Sequence, residues 1–263
     1  MEQSVYDLSG DTVLELRLPA PNRPVLGKVR WGHPGALFSP AFWKAQAWYA
    51  KNRDKNAYLD YATGTSLSHE VAACLLGGHG ITSEMAQAAF AALHEKRLLE
   101  PGVRDRRAKI ETVLRIPRPL FPGERPVRYR FPAKKAEYLA SALHRVSTER
   151  PPEAALDFRA WLRSFRGVGW KTASWITRNW KHSDDVAVID IHVFRAGVIA
   201  GLFDGSESTI AARYPALEAR FLEFARAINE EARRLDVLIW RTMKDSQHLG
   251  LRIFGAAALQ SAA

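Results

Sequence analysis

Residues 162–195 read LRSFRGVGWKTASWITRNWKHSDDVAVIDIHVFR. Gly167-Val168-Gly169 separates two segments of helical periodicity, and Leu162, Phe165, Ala173 and Ile176 recur at spacings that bury one side of each. Two glycines one residue apart let the backbone turn tightly, with its amides bare and no Cβ in the way. A helix from Trp170 to Trp180 then begins with free N–H groups and its positive dipole end facing outward, which is a ready seat for a phosphate. Arg163, Arg166 and Lys171 surround that seat.

This arrangement matches a helix-hairpin-helix, a module that grips a nucleic-acid backbone without reading sequence. An ordinary helical hairpin with a glycine turn would show the same GVG, so the residues that follow decide between the two. Lys171 sits in the first turn of the second helix. Downstream, the apolar extended run VAVID ends in Asp190. The helix is about 16 Å long at about 1.5 Å per residue. The chain from Lys181 to Asp190 spans up to about 30 Å if extended, so it can fold back and bring Asp190 to Lys171. Alone, such a lysine is surface decoration, and an aspartate before IHVFRAGVIAGLF is a helix N-cap. Together, beside a phosphate-gripping turn, they point to chemistry on DNA.

FRGVGWKTA (165–173) with VIDIH (188–192) resembles the helix-hairpin-helix (HhH-GPD) superfamily of DNA glycosylases, in particular the 8-oxoguanine branch. The resemblance implies a mainly α, two-lobed helical fold with a DNA-binding cleft between lobes and a small extended N-terminal segment. It implies that Lys171 attacks the sugar C1′ with help from Asp190. It also implies that Arg166, Gly167, Val168, Gly169, Thr172 and His192 contact the DNA backbone, although His192 is equally readable as a capping or packing residue. The covalent product is a Schiff base that can proceed to strand cleavage, with no metal or organic cofactor. In relatives the hairpin carbonyls can hold a monovalent cation. Two departures stand out: Arg166 replaces the usual proline before the hairpin glycine, and HSDDVAVID lacks the glycine and proline that give the superfamily its name.

Composition agrees. Thirty-eight Lys and Arg against 28 Asp and Glu give a net charge of +10, which favours a polyanionic partner. No apolar run approaches the roughly 20 residues of a membrane span, and the polar start MEQSVYDLSGD is no signal peptide. Cys74 is the only cysteine, which excludes an internal disulfide and a four-thiolate iron–sulfur cluster and suits a reducing compartment. The eight histidines show no zinc spacing. The expected protein is therefore a cytoplasmic, nucleoid-associated monomer that acts on double-stranded DNA carrying a modified base.

Three segments follow along the chain. Residues 1–38 form an extended arm or short strands, since Val13, Leu14, Leu16 and Leu18 partly alternate with polar residues and prolines break any helix. Residues 39–132 form a helical lobe and a basic loop, and 133–263 a lobe with the hairpin and the C-terminal helices. Helices are expected at Pro40–Asn52 behind a Ser39 cap, at Leu67–Leu76, from a Thr82 or Ser83 cap to about Leu98, and at Arg104–Leu114. Further helices are expected at Ala133–Val146, Glu153–Phe165, after Asp190 to about Leu202, from behind Pro215 to about Ile228, and from Glu230 behind an Asn229 cap to about Asp245. Trp43 and Gln46 on the first helix either pack in the core or line a base pocket. The stretch 115–135, RIPRPLFPGERPVRYRFPAKK, interleaves Tyr129 and Phe131 with cations. It reads either as backbone contact with base stacking or as a solvated basic loop. On the last helix Asp236 and Trp240 are four apart and share a face. They are either a core pair or a base-reading carboxylate and stacking indole, as the resemblance to archaeal 8-oxoguanine glycosylases implies.

Three functional readings remain open. The first is a glycosylase, with the lyase activity that the resemblance implies, for an 8-oxoguanine-type base. The second is the same chemistry on a hypermodified phage base, such as a glycosylated cytosine, in antiviral defence. The third is a non-catalytic helix-hairpin-helix DNA-binding protein.

Overall fold

The computed structural model describes residues 1–9, 11–54, 65–78, 80–246 and 249–255. Packing divides the chain into a central unit, Ala62–Lys181, and a terminal unit made of both chain ends, Met1–Tyr61 and His182–Ala263. The expected segments were contiguous. The terminal unit is not, because the helix after the N-terminal arm packs against the helix at Ala232–Asp245.

In the central unit, α2 (Leu67–Leu76), α3 (Ser83–Glu95), α4 (Arg106–Arg115), α5 (Pro132–Thr148), α6 (Ala155–Arg163) and α7 (Trp170–Lys181) share one core. Val71, Leu93, Ile110, Leu139, Phe158 and Ile176, one from each helix, are fully buried in it. Each such side chain contributes roughly 1.5–3 kcal/mol. Ser66 and Thr82 cap α2 and α3 by accepting the amides of His69 and Met85. Thr82 is thus the cap of the two residues weighed for that role.

The basic stretch at 115–135 divides in two. Tyr129 is buried and donates to Leu76 O at 2.6 Å. Lys135 Nζ donates to Leu75 O and Gly77 O, and Arg118 donates to Val113 O and Ile116 O. These three close the carbonyl ends of α2 and α4, where the last turn lacks intrahelical partners and the dipole favours cations. Tyr129 is therefore no stacking platform. Phe131 remains open, at 48 % exposure, as do Arg115, Arg125 and Arg128.

In the terminal unit, β1 (Gln3–Ser9) and β2 (Thr12–Leu18) form an antiparallel hairpin with Gln3 opposite Leu18 and Ser9 opposite Thr12. A second small pair, β3 (Pro24–Leu26) and β4 (Val29–Arg30), follows. Ser39 caps α1 (Pro40–Arg53), its hydroxyl accepting Phe42 N at 3.1 Å. The chain returns through α8 (Ile191–Ile199), α9 (Ile210–Ala227) and α10 (Ala232–Asp245), and residues 249–255 are helical. Glu230, whose side chain is 3 % exposed, takes Lys44 and Lys51 of α1 at 2.7 and 2.6 Å.

Two boundaries differ from expectation. Pro215 lies inside α9 rather than before it. Its ring removes the amide that would bond the Ala211 carbonyl, but Ala211 is exposed, so water can take that carbonyl. Asn229 does not cap α10, whose N-cap is Glu231. It stands just past α9 with φ +53°, a left-handed turn that asparagine tolerates better than most residues. No helix among the described residues is long and apolar enough to cross a membrane.

Candidate active site

The hairpin belongs to the central unit. Phe165 and Val168 are buried and anchor the turn, and Val168 N donates to Phe165 O at 3.1 Å. The two glycines have different jobs. Gly167 adopts φ +83°, and a Cβ there would lie 2.1 Å from the Tyr138 ring. Gly169 lies outside the left-handed region with open space where its Cβ would be. Its carbonyl accepts Ala173 N at 3.0 Å, so α7 begins directly behind it.

Lys171 and Thr172 follow in the first turn of α7, both half-buried. The Lys171 ammonium lies 6.0 Å from the centre of the Trp175 ring. The Arg159 and Arg163 guanidiniums lie over the Trp170 ring at 5.1 and 3.4 Å. Arg166 is exposed and reaches Glu137 of α5 at 2.6 Å. Positive charge therefore surrounds the start of α7, as its sequence implied.

The far half of α7 is locked down. Asn179 is buried, donates to Glu70 Oε1 at 2.5 Å and accepts Arg178 Nε at 3.0 Å. Burial, then Glu70, push the neighbouring Cys74 thiol up, so it is an inert core residue. Burial lowers Lys135 to about 8, and the nearby Lys171 charge adds to that shift. Sequence reasoning missed Lys135, whose carbonyl partners lie 60 and 58 residues away.

Asp190 belongs to the terminal unit. It caps α8, with Oδ1 accepting His192 N at 2.8 Å and Val193 N at 2.9 Å. Val186, Ala187 and Ile189 before it are buried. His192 lines a cavity of about 100 Å³ with Arg195, Met243, Gly250 and Leu251.

The other expected pocket residues divide. Trp43 is 1 % exposed and stacks on Phe38 at 5.5 Å, so it belongs to the core and not to a pocket. Gln46 is half-buried on α1. Asp236 is 1 % exposed, and its Oδ2 accepts Val188 N at 2.7 Å. Trp240, one turn on, is half-buried with the Lys244 ammonium 5.2 Å from its ring.

A six-helix core ending in a glycine hairpin, with a lysine in the first turn beyond it, is the arrangement of a helix-hairpin-helix glycosylase fold. The profile of the family described as 8-oxoguanine DNA glycosylase matches residues 58–230. The chain belongs to that family. It is 30% identical over 119 residues to the 8-oxoguanine DNA glycosylase/AP lyase of Methanocaldococcus jannaschii, covering 43% of this chain and 56% of that protein. It is 25% identical over 177 residues to the protein of the same name from Thermotoga maritima, covering 64% and 84%. The crystal structure of the M. jannaschii enzyme in complex with a 15mer DNA containing 8-oxoguanine superposes with a TM-score of 0.58. The identity is 23%, over 78% of this chain and 98% of that one. The T. maritima structure gives 0.52 at 21% identity, over 78% and 90%. Asp236 and Trp240 lie outside the matched residues.

Proposed function

We propose that the chain is a DNA glycosylase with lyase activity that removes a modified base of the 8-oxoguanine type from duplex DNA. The observation that carries this reading is the half-buried residue Lys171 in the first turn of the helix that leaves the hairpin. Family membership and the relatives' names support the substrate class.

The reacting atom lies inside a duplex, so the nucleotide must first be swung out of the stack. Backbone amides at the start of α7 would hold a flanking phosphate during that step. The Lys171 amine would attack C1′ as the bond to the base breaks, with the bonding pair leaving on the base. Asp190 would accept the proton lost by the nitrogen and stabilise positive charge developing on the sugar. We assign that work to Oδ2, since Oδ1 is committed to the α8 amides. Sugar-ring opening gives a protonated Schiff base. Loss of a proton from C2′ then expels the 3′ phosphate.

Borohydride trapping on duplexes that each carry one modified base tests this reading. The panel should include 8-oxoguanine and glycosylated cytosine, which also separates repair from antiviral substrates. Wild type is expected to form an adduct with the 8-oxoguanine duplex and to release the base, and Lys171→Gln to form none. An undiminished adduct from Lys171→Gln, or no adduct and no release on any duplex, would refute it.

A further inference from the structure

The run 186–189 is largely buried without helix or strand structure, and no strand pairs with it among the described residues. Buried backbone amides need partners. Here side chains supply them. Ala187 N donates to Glu218 Oε1 at 3.0 Å, Val188 N to Asp236 Oδ2 at 2.7 Å, and Ile189 N to the Tyr214 hydroxyl at 3.1 Å. The Tyr214 hydroxyl donates in turn to Ala187 O at 2.8 Å.

The pattern follows from chain geometry. In an extended segment, successive amides point to opposite sides. Those of 187 and 189 meet α9, where Tyr214 and Glu218 stand four residues apart on one face. That of 188 meets α10. All three side chains are buried. Two are carboxylates, which when ionised only accept and so match amide donors. Three consecutive amides are thus fixed from two sides, and the next residue is Asp190.

We infer that Asp236, Glu218 and Tyr214 are positioning residues for Asp190, a side-chain template that stands in for a partner strand and sets where the α8-capping carboxylate lies. Asp236 then acts through Val188 rather than on the base. A misplacement of about 1 Å can cost on the order of 10²-fold in rate, so loosening the template slows the reaction without removing a reacting group. This inference rests on the proposed role of Asp190.

The test uses a duplex with a single abasic site, which has no base to read. Under single-turnover conditions, Asp236→Ala is expected to form borohydride-trapped adduct at least tenfold more slowly than wild type, with Kd for the duplex within threefold. Asp236→Asn retains an acceptor for Val188 N and is expected to recover most of the rate. Tyr214→Phe loses only a hydroxyl, keeps the ring in the core, and is expected to be slowed severalfold even if Asp236→Ala proves too unstable to assay. Hydrogen exchange of the 186–190 segment is expected to quicken in Asp236→Ala and Tyr214→Phe but not in Asp236→Asn.

The inference is overturned if Asp236→Ala keeps its rate on the abasic duplex while losing 8-oxoguanine release, because Asp236 would then read the base. It is overturned equally if Asp236→Asn is as slow as Asp236→Ala, or if exchange is unchanged in Asp236→Ala and Tyr214→Phe. A wild type that forms no adduct on the abasic duplex and releases no base from any duplex refutes the glycosylase reading instead, and the exchange pattern still reports whether the side chains hold the segment.

Discussion

Replacing Gly167 by alanine should separate the two glycines of the hairpin. At φ +83° an added Cβ carries a backbone penalty of about 1–2 kcal/mol. The same carbon would sit 2.1 Å from Tyr138 Cδ2 and 2.6 Å from Cγ. Ordinary carbon contacts are about 3.5–4.0 Å, so the ring must retreat by roughly 1.5 Å. Overpacking of this kind costs about 1–3 kcal/mol. The sum is about 2–5 kcal/mol, which at about 2–4 °C per kcal/mol corresponds to a melting temperature lower by roughly 4–20 °C. Gly169→Ala meets nothing within 4 Å and has no positive φ to violate, so it should stay within about 0.5 kcal/mol of wild type. Differential scanning calorimetry of both variants, with Tyr138→Ala and the Gly167→Ala/Tyr138→Ala pair completing a double-mutant cycle, measures the two parts. Removing the ring should recover the steric share and leave the backbone share. Equal effects at 167 and 169, or no relief from removing Tyr138, would show that the turn is not built as described.

Asn179→Ala should destabilise the central unit by about 3 kcal/mol, because it strips hydrogen bonds from the buried Glu70 and Arg178; urea unfolding with an unchanged m-value would record it. Lys135, lowered to about 8, gives the alkaline limb a definite sign. Between pH 8 and the ordinary lysine value of 10.5, the unfolded chain binds the extra proton, so stability should rise with pH in wild type relative to Lys135→Met. Below pH 8 the two curves should run parallel. A relative fall across that window would contradict the assignment.

Helices with local signals were readable from the chain. Leu67–Leu76 came out with its observed bounds because its periodicity begins behind Ser66 and stops at Gly77. Thr82 and Ser39 acted as caps through hydroxyls that need only the next turn. The hairpin was legible for the same reason, as was Asp190 as an N-cap. Features with distant partners were not. Tyr129 reads as one more aromatic among cations until Leu76 O, 53 residues earlier, is seen to accept its hydroxyl. Asp236 shares a helix face with Trp240, but spacing alone does not show that its Oδ2 accepts an amide 48 residues upstream. Glu230 helps tie α1 to the C-terminal part of the chain, and its lysine partners are 186 and 179 residues away. Asn229 failed differently, since a residue between two helices can end one or begin the next and only its φ decides.

The carboxylate at position 190 has a bearing on how mutants of this family are interpreted. One of its oxygens closes the first turn of a helix, so truncating it to alanine frays that helix and removes an anion in a single stroke. A loss of turnover in Asp190→Ala would therefore mix scaffold damage with missing charge, whereas Asp190→Asn retains an oxygen for the two amides and changes mainly the charge. Comparing the two apportions the loss, and a carboxylate that caps a helix while serving in the proposed reaction has few replacements open to it during evolution, because most side chains would forfeit both duties together.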